Sequence, residues 1–135
     1  MPDRVILDTS AFYALISHSD AFHTQAKLAY ERLLDWEREL WTTSYVLVET
    51  SALVHHRLGI EPLKAFMETV LSDIIHILWV ENTIHSEAWK RMLERQGEGF
   101  SLVDCSTIVA AERLKASIFT FDQDFRQSGV LTFPH

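Results

Sequence analysis

Four acidic residues are unusual in this sequence because each one follows or lies within an apolar segment. Asp8 ends the run Val-Ile-Leu, and Asp122 ends the run Ile-Phe-Thr-Phe. Glu49 and Asp104 each have apolar residues one helical turn away, which places them on apolar helix faces. An ionised carboxylate in such surroundings is strongly disfavoured unless it has a partner. The four positions therefore predict a site in which the acids share a partner.

Each acid also has a purely structural explanation that the sequence leaves open. An aspartate directly after a strand often caps the next helix or closes an Asx-turn, which would suit Asp8 and Asp122. Glu49 could reach solvent from the edge of its helix face. Ser101 and Asp104 have the spacing of a capping box. Capping and chemistry are compatible, and the four acids together favour chemistry more than any one of them does.

A cluster of these four carboxylates would need a cation. Neighbouring carboxylates repel one another, so that without a cation one or more of them takes up a proton. Mg²⁺ or Mn²⁺ suits oxygen ligands of this kind, because these ions keep several waters and bind substrate phosphate. Such an ion supports in-line attack of water on a phosphodiester. The acids therefore indicate a metal-dependent hydrolase of phosphodiesters.

Short apolar strands alternate with helices along the chain and could bring the acids together. Strands are predicted at residues 5–7, 40–43, 74–80 and 118–121, and weakly at 130–132. Helical periodicity predicts helices over 22–36 and 45–58, after Pro62, after Asn82 and, as a central buried helix, over 102–114. This alternation predicts an α/β fold, a three-layer α/β/α sandwich with a short, mostly parallel sheet. Asp8 and Asp122 would then lie beyond the carboxyl ends of strands, where such sheets bind ligands.

Length and charge restrict the class of protein further. The chain has 135 residues, which favours a single domain over residues 1–135, and its net charge is −7. An acidic protein has no general basic field for nucleic acid, so a nucleic-acid role requires a local patch or bound metal ions. A single cysteine, Cys105, and the lack of a long apolar run predict a cytoplasmic protein with no membrane partner.

Four sequence blocks surround the acids: Asp8–Ala11, Thr43–Glu49, Phe100–Asp104 and Thr120–Phe125. In this order and at this chain length, they resemble the PIN-domain ribonucleases, and within that family the VapC-like toxins of bacterial and archaeal toxin–antitoxin pairs. The resemblance implies a PIN-like sandwich and a metal-dependent endoribonuclease that acts on single-stranded or structured RNA.

The resemblance also assigns roles to individual residues. It implies that the catalytic and metal-binding residues for Mg²⁺ or Mn²⁺ are Asp8, Glu49, Asp104 and Asp122, with Asp8 and Asp104 as the principal ligands. It implies supporting roles for Ser10, Thr120 and Asp124. Arg126 is our first candidate for a contact with RNA phosphate, because it lies close in sequence to Asp122.

Partners follow from the same resemblance. A VapB-like antitoxin is expected to lay its C-terminal segment across the active-site groove, held by helices within 20–39 and 45–73, and a homodimer is expected as well. Three alternatives stay open: a PIN ribonuclease of RNA maturation that is not a toxin, a catalytically inactive PIN interaction module, and a receiver-like domain that accepts a phosphate. The last requires a lysine at a late strand end, and Lys115 precedes its predicted strand.

Overall fold

Five strands form one parallel sheet at the centre of the computed structural model, which describes residues 2–94 and 99–134. The strands are β1 (Arg4–Leu7), β2 (Glu39–Thr43), β3 (Ile75–Leu78), β4 (Ser117–Phe119) and β5 (Thr132–Phe133). They lie in the order β3-β2-β1-β4-β5, and every pair is parallel. The central strand β1 is therefore hydrogen-bonded to β2 on one side and to β4 on the other.

Helices connect the strands and cover both faces of the sheet. They are α1 (Thr9–Ile16), α2 (His23–Asp35), α3 (Ser44–Leu58), α4 (Ile60–Leu71), α5 (Asn82–Glu94) and α6 (Leu102–Leu114), and a 3₁₀ turn spans Gln123–Gln127. No helix within residues 2–94 and 99–134 combines the length and the apolar composition of a membrane span.

Alternate residues of β1 pack into two separate cores, as the pleat of a strand requires. Val5 and Leu7 face a core formed with α1 and α2, whereas Ile6 faces a core formed with α6. All three side chains are fully buried. The predicted three-layer sandwich is thus confirmed, and α6 is the central buried helix that the sequence predicts, since residues 105–111 are all buried.

The structure adds one helix that the periodicity did not predict, ends two strands two residues early (β3 and β4) and begins β5 two residues later than predicted. Helix α1 has only eight residues, and the segment Ala-Phe-Tyr-Ala-Leu-Ile has no polar face from which a period could be read. Strand β3 ends at Leu78, so Trp79 and Val80 leave the predicted strand, and Trp79 is exposed. Helix α4 begins at Ile60, two residues before Pro62, which the first turn of a helix tolerates.

Candidate active site

Asp8 directly follows β1 and is the N-cap of α1. Its Oδ1 accepts hydrogen bonds from the backbone N–H of Ala11 at 2.9 Å and from the hydroxyl of Ser10 at 2.8 Å. Its Oδ2 accepts a hydrogen bond from the hydroxyl of Thr120. The residue is only 5% exposed. Since a carboxylate offers about four acceptor positions, three are used and one remains on Oδ2.

Ser10 and Thr120 connect Asp8 to the loop that follows β4. The hydroxyl of Ser10 donates its proton to Asp8. The oxygen of the same hydroxyl accepts a hydrogen bond from the backbone N–H of Phe121 at 2.9 Å. The oxygen of Thr120 accepts the backbone N–H of Asp122 at 3.0 Å. Each hydroxyl therefore donates to the first acid and accepts from the chain segment that carries the fourth acid. This arrangement is what the predicted supporting role of the two residues would require.

Asp104 lies in the first turn of α6, where it forms the predicted capping box. Its Oδ2 accepts the backbone N–H of Ser101 at 3.0 Å, and its own N–H donates to the hydroxyl of Ser101 at 3.1 Å. The capping box fixes one carboxylate oxygen of Asp104. Its other oxygen, Oδ1, accepts no hydrogen bond from any residue in the described part of the chain. Asp104 thus serves as a cap and still has a carboxylate oxygen available.

Glu49 and Asp122 reach the site from opposite sides of the sheet centre. Helix α3 begins directly after β2, where the hydroxyl of Thr43 caps it by accepting the N–H of Val46. Glu49 follows one turn later, and its carboxylate accepts no hydrogen bond within the described ranges. Asp122 caps the 3₁₀ turn, and its Oδ1 accepts the N–H of Asp124 at 3.0 Å.

One cleft of about 360 Å³ contains all four predicted acids and Ser10 in its lining. Thr120 lies behind Asp8 and is buried. Asp124 is exposed and contributes its backbone N–H, not its side chain, to the network described above. Arg126 lines a smaller neighbouring pocket of about 80 Å³ that shares Asp122 with the cleft. The structure therefore brings the four acids together and places Arg126 beside them.

Burial and mutual repulsion raise the pKa of two of these acids. Burial raises the pKa of Asp8 to about 6, against the lowering effect of its hydrogen bonds and with a further rise from the charge of Asp104. Burial is also the main cause of the raised pKa of Asp104, and the charges of Asp122 and Glu49 add to it. The cleft thus concentrates negative charge, and none of its four acids forms an ion pair within residues 2–94 and 99–134.

One of the basic residues that the sequence offers as candidates for phosphate contact, Arg57, lines the cleft, together with residues that were not predicted as site residues. Arg57, two turns beyond Glu49 on α3, lines the cleft with its guanidinium 5.5 Å from the ring centroid of Tyr13. Phe22 and Phe121 line it with stacked rings, and Asp20 adds a fifth carboxylate. Arg57 lies at four-residue steps from Glu49, which places both residues on one face of α3. The aromatic pair comes from loops that are distant in sequence, which no local pattern reveals.

The donor set of the cleft fits a hard divalent ion. Its acidic side chains offer carboxylate oxygens, and burial disfavours the charged forms of Asp8 and Asp104 unless a cation is bound. Within residues 2–94 and 99–134, no three acidic, histidine or cysteine side chains are placed to hold one ion together. Mg²⁺ does not need such a cage, because it is commonly held by one or two carboxylates, waters and substrate phosphates.

Comparison with known proteins identifies the class to which this fold and this cleft belong. The PIN domain family matches residues 5–131, and the chain belongs to that family. It is 30% identical over 130 residues to the 23S rRNA-specific endonuclease VapC20 of Mycobacterium tuberculosis, covering 93% of this chain and 94% of the relative. It is 27% identical over 124 residues to a VapC ribonuclease of Archaeoglobus fulgidus, covering 89% of this chain and 78% of the relative.

The fold resembles that of a solved relative as well. The crystal structure of M. tuberculosis VapC20, described as a sarcin–ricin loop cleaving toxin, superposes with a TM-score of 0.84 at 26% identity and covers 94% of this chain and 96% of that one. The predicted membership in the PIN family, close to the VapC-like toxins, is confirmed.

Proposed function

We propose that this protein is a metal-dependent endoribonuclease that hydrolyses RNA phosphodiesters, and that it is the toxin of a toxin–antitoxin pair. The observation that carries the proposal is the convergence of Asp8, Glu49, Asp104 and Asp122 in one cleft of a PIN fold. All four acids are present, which disfavours a catalytically inactive module. Relatives that are 30% and 27% identical are named as an endonuclease and a ribonuclease, which supports the same activity.

The chain's own residues provide distinct functions in this reaction. Mg²⁺ or Mn²⁺ would be held through the remaining lone pair of Asp8 Oδ2 and through Asp104 Oδ1, with Glu49 and Asp122 nearby. When bound, the ion supplies positive charge to the phosphate and lowers the pKa of a bound water. Glu49, whose carboxylate has no hydrogen-bond donor among the described residues, and Asp122 would complete the set of acidic ligands or orient the attacking water. The products would carry a 5′-phosphate and a 3′-hydroxyl.

RNA cleavage by purified protein tests this proposal. Wild type, Asp8→Asn and the exposed-acid control Glu68→Gln are incubated with a mixed RNA pool and with ribosomal RNA, in Mg²⁺, in Mn²⁺ and in EDTA. Ribosomal RNA is included because VapC20 is named as specific for 23S rRNA. We expect wild type and Glu68→Gln to cut, EDTA to stop them, and Asp8→Asn to be silent. Equal cutting by a folded Asp8→Asn protein would refute the assignment.

We further propose a VapB-like antitoxin as partner. A largely apolar groove of about 790 Å³ lies between α1, α2 and α4, with Phe12, Tyr30 and Phe66 among its lining residues. A helix or strand of the antitoxin would occupy this groove, and its basic tail would continue into the acidic cleft. Expression of wild type in the cytoplasm is expected to arrest growth, and expression of Asp8→Asn is not. Full growth with an active enzyme would favour a role in RNA maturation.

A homodimer through α5 is also proposed. Trp89 and Leu93 lie one turn apart on this helix and are 54% and 69% exposed. An exposed apolar stripe of this kind is typical of a protein interface. Light scattering of wild type should give twice the mass of a Leu93→Glu variant, and a monomeric wild type would contradict the assignment.

A further inference from the structure

Two stacked phenylalanines form one wall of the acidic cleft. The rings of Phe22 and Phe121 are 4.8 Å apart between centroids and inclined by 16°. Phe22, Phe121 and Asp122 line both the cleft and the small pocket that contains Arg126. The pair therefore stands at the boundary between the carboxylates and a potential phosphate-binding cation.

The core supports this pair through a series of ring contacts. Phe121 contacts the buried Phe119 edge to face at 5.9 Å, and Phe119 contacts the buried Phe133 in the same way at 6.0 Å. The backbone N–H of Phe22 donates to Asp20 Oδ1 at 2.8 Å. A column of four rings thus runs from the hydrophobic core to the cleft, and Phe22 is its outermost member. Such support leaves little freedom for Phe22 to lose on binding.

Phe22 occupies a position that does not usually favour an aromatic side chain. It is the N-cap of α2, a position where serine, threonine, aspartate or asparagine normally supplies a side-chain hydrogen bond, and here none is made. One face of its ring is covered by Phe121, yet the residue is 40% exposed. A residue that violates the local preference of its position and remains exposed beside a reactive cleft is expected to serve binding.

We infer that Phe22, backed by Phe121, stacks on a nucleobase next to the scissile phosphate and so selects the site of cleavage. This inference rests on the proposed ribonuclease function. A nucleobase is the occupant that suits the wall, because its π-face matches the exposed ring, while its sugar–phosphate would extend to the cleft on one side and to Arg126 on the other. Recognition of RNA by stacking an unpaired base on an aromatic side chain is a general mode.

The test combines changes in the protein with removal of a base from the RNA. A short RNA containing one cleavage site found in the pool is synthesised intact and with an abasic nucleotide on either side of that site. Wild type, Phe22→Ala, Phe22→Leu and Phe22→Trp are compared by kcat/KM, with Trp36→Ala as control. Trp36 is also an exposed aromatic residue and caps the opposite, C-terminal end of α2. It contacts the same ring column through Phe133. Thermal unfolding confirms that each variant is folded.

We expect Phe22→Ala and Phe22→Leu to lose at least about fivefold in kcat/KM on the intact RNA, and Phe22→Trp and Trp36→Ala to stay near wild type. Of the two abasic RNAs, the one that lacks the stacked base should be cleaved by wild type as slowly as intact RNA is cleaved by Phe22→Ala. The same RNA should cause no further loss of kcat/KM in Phe22→Ala. A purely structural role would instead give the same loss on intact and abasic RNA.

A binding measurement gives a second readout. In the Asp8→Asn background, 2-aminopurine is placed at the position where the abasic nucleotide reduces cleavage. Its fluorescence should fall when the RNA binds, and this fall should be absent in the Phe22→Ala variant. Unchanged cleavage by Phe22→Ala, or equal losses on intact and abasic RNA, would overturn this inference alone. A wild type that cuts no RNA in either metal would overturn the proposed function and the inference with it.

Discussion

The hydroxyl of Thr120 donates to Oδ2 of Asp8 across 112 positions of sequence, and its oxygen accepts the backbone N–H of Asp122. One side chain therefore orients the first acid of the cleft and anchors the loop of the fourth. Because Ser10 and Ala11 occupy Oδ1, the direction of the remaining lone pair of Asp8 depends on this contact.

Replacing Thr120 by valine should reduce cleavage although the residue lies behind the cleft. The variant loses both the donor to Asp8 and the acceptor for Asp122, while serine keeps them. Loss of a group that orients a metal ligand typically costs about 10- to 100-fold in metal affinity or activity. We expect such a loss in kcat/KM and in Mn²⁺ affinity by calorimetry for Thr120→Val, and little change for Thr120→Ser. A folded Thr120→Val protein with unchanged rate and affinity would contradict this.

The stability of the metal-free protein should depend on the pH through Asp8. Burial raises the pKa of Asp8 from 3.8 to about 6, so the folded chain binds the proton more tightly than the unfolded chain. The resulting contribution to stability is present in full below about pH 3.8 and is lost as the pH rises through 6. Asp8→Asn should therefore gain in free energy of unfolding over wild type as the pH rises, by up to ~3 kcal/mol.

Urea unfolding in EDTA at about pH 4, 6 and 7.5 measures this difference. Glu68→Gln removes an exposed acid on α4 and serves as the control. If the difference in free energy of unfolding between Asp8→Asn and wild type stays constant over this pH range, Asp8 has the same pKa in the folded and unfolded states.

Divalent ions should stabilise wild type, and more strongly at higher pH. An ion that binds only the folded state raises Tm by mass action, and it competes with protons for the carboxylates. We expect Mn²⁺ to raise the Tm of wild type and of Glu68→Gln more at about pH 7.5 than at about pH 5.5, and to have little effect on Asp8→Asn or Asp104→Asn. Equal Tm shifts in all four proteins would locate the bound ion elsewhere.

Arg57 and Arg126 should contact RNA phosphates without reading sequence. In the Asp8→Asn background, Arg57→Gln and Arg126→Gln should each weaken RNA binding and reduce the slope of log affinity against log salt by about 0.7. Arg32→Gln removes the same charge from an exposed position on α2 and should leave the RNA affinity and the salt slope unchanged. If the slope is the same in all three variants, neither arginine binds a phosphate.

The sheet and the four acids were predictable because their signals are local. Strand β1 is a continuous apolar run ending in Asp8, and α6 is apolar on every side with Ser101 and Asp104 at the spacing of a capping box. Such patterns report burial and helix ends directly. The structure also shows that Asp8 caps α1 and lines the acidic cleft at the same time, a combination that the sequence left open.

The rest of the site was not predictable because it depends on which loops meet. Phe22 lies at the start of α2, and Phe121 follows β4, so their stacking arises only from the sheet order. Either residue alone is indistinguishable in sequence from a core phenylalanine. Tyr13 was missed for a related reason, since α1 is too short and too uniformly apolar to be recognised as a helix.

The register of the central strand also has a consequence for the order in which the protein is made. Val5 pairs with Ser117 and Leu7 with Phe119, so that β1 acquires one of its two neighbours only after nearly the whole chain has been synthesised. Thr120 and Asp122 leave the ribosome after that strand. A nascent chain that ends before them has Asp8 without the hydroxyl of Thr120 and only three of the four acids. The acidic cleft is therefore incomplete until residues 120–122 have been synthesised.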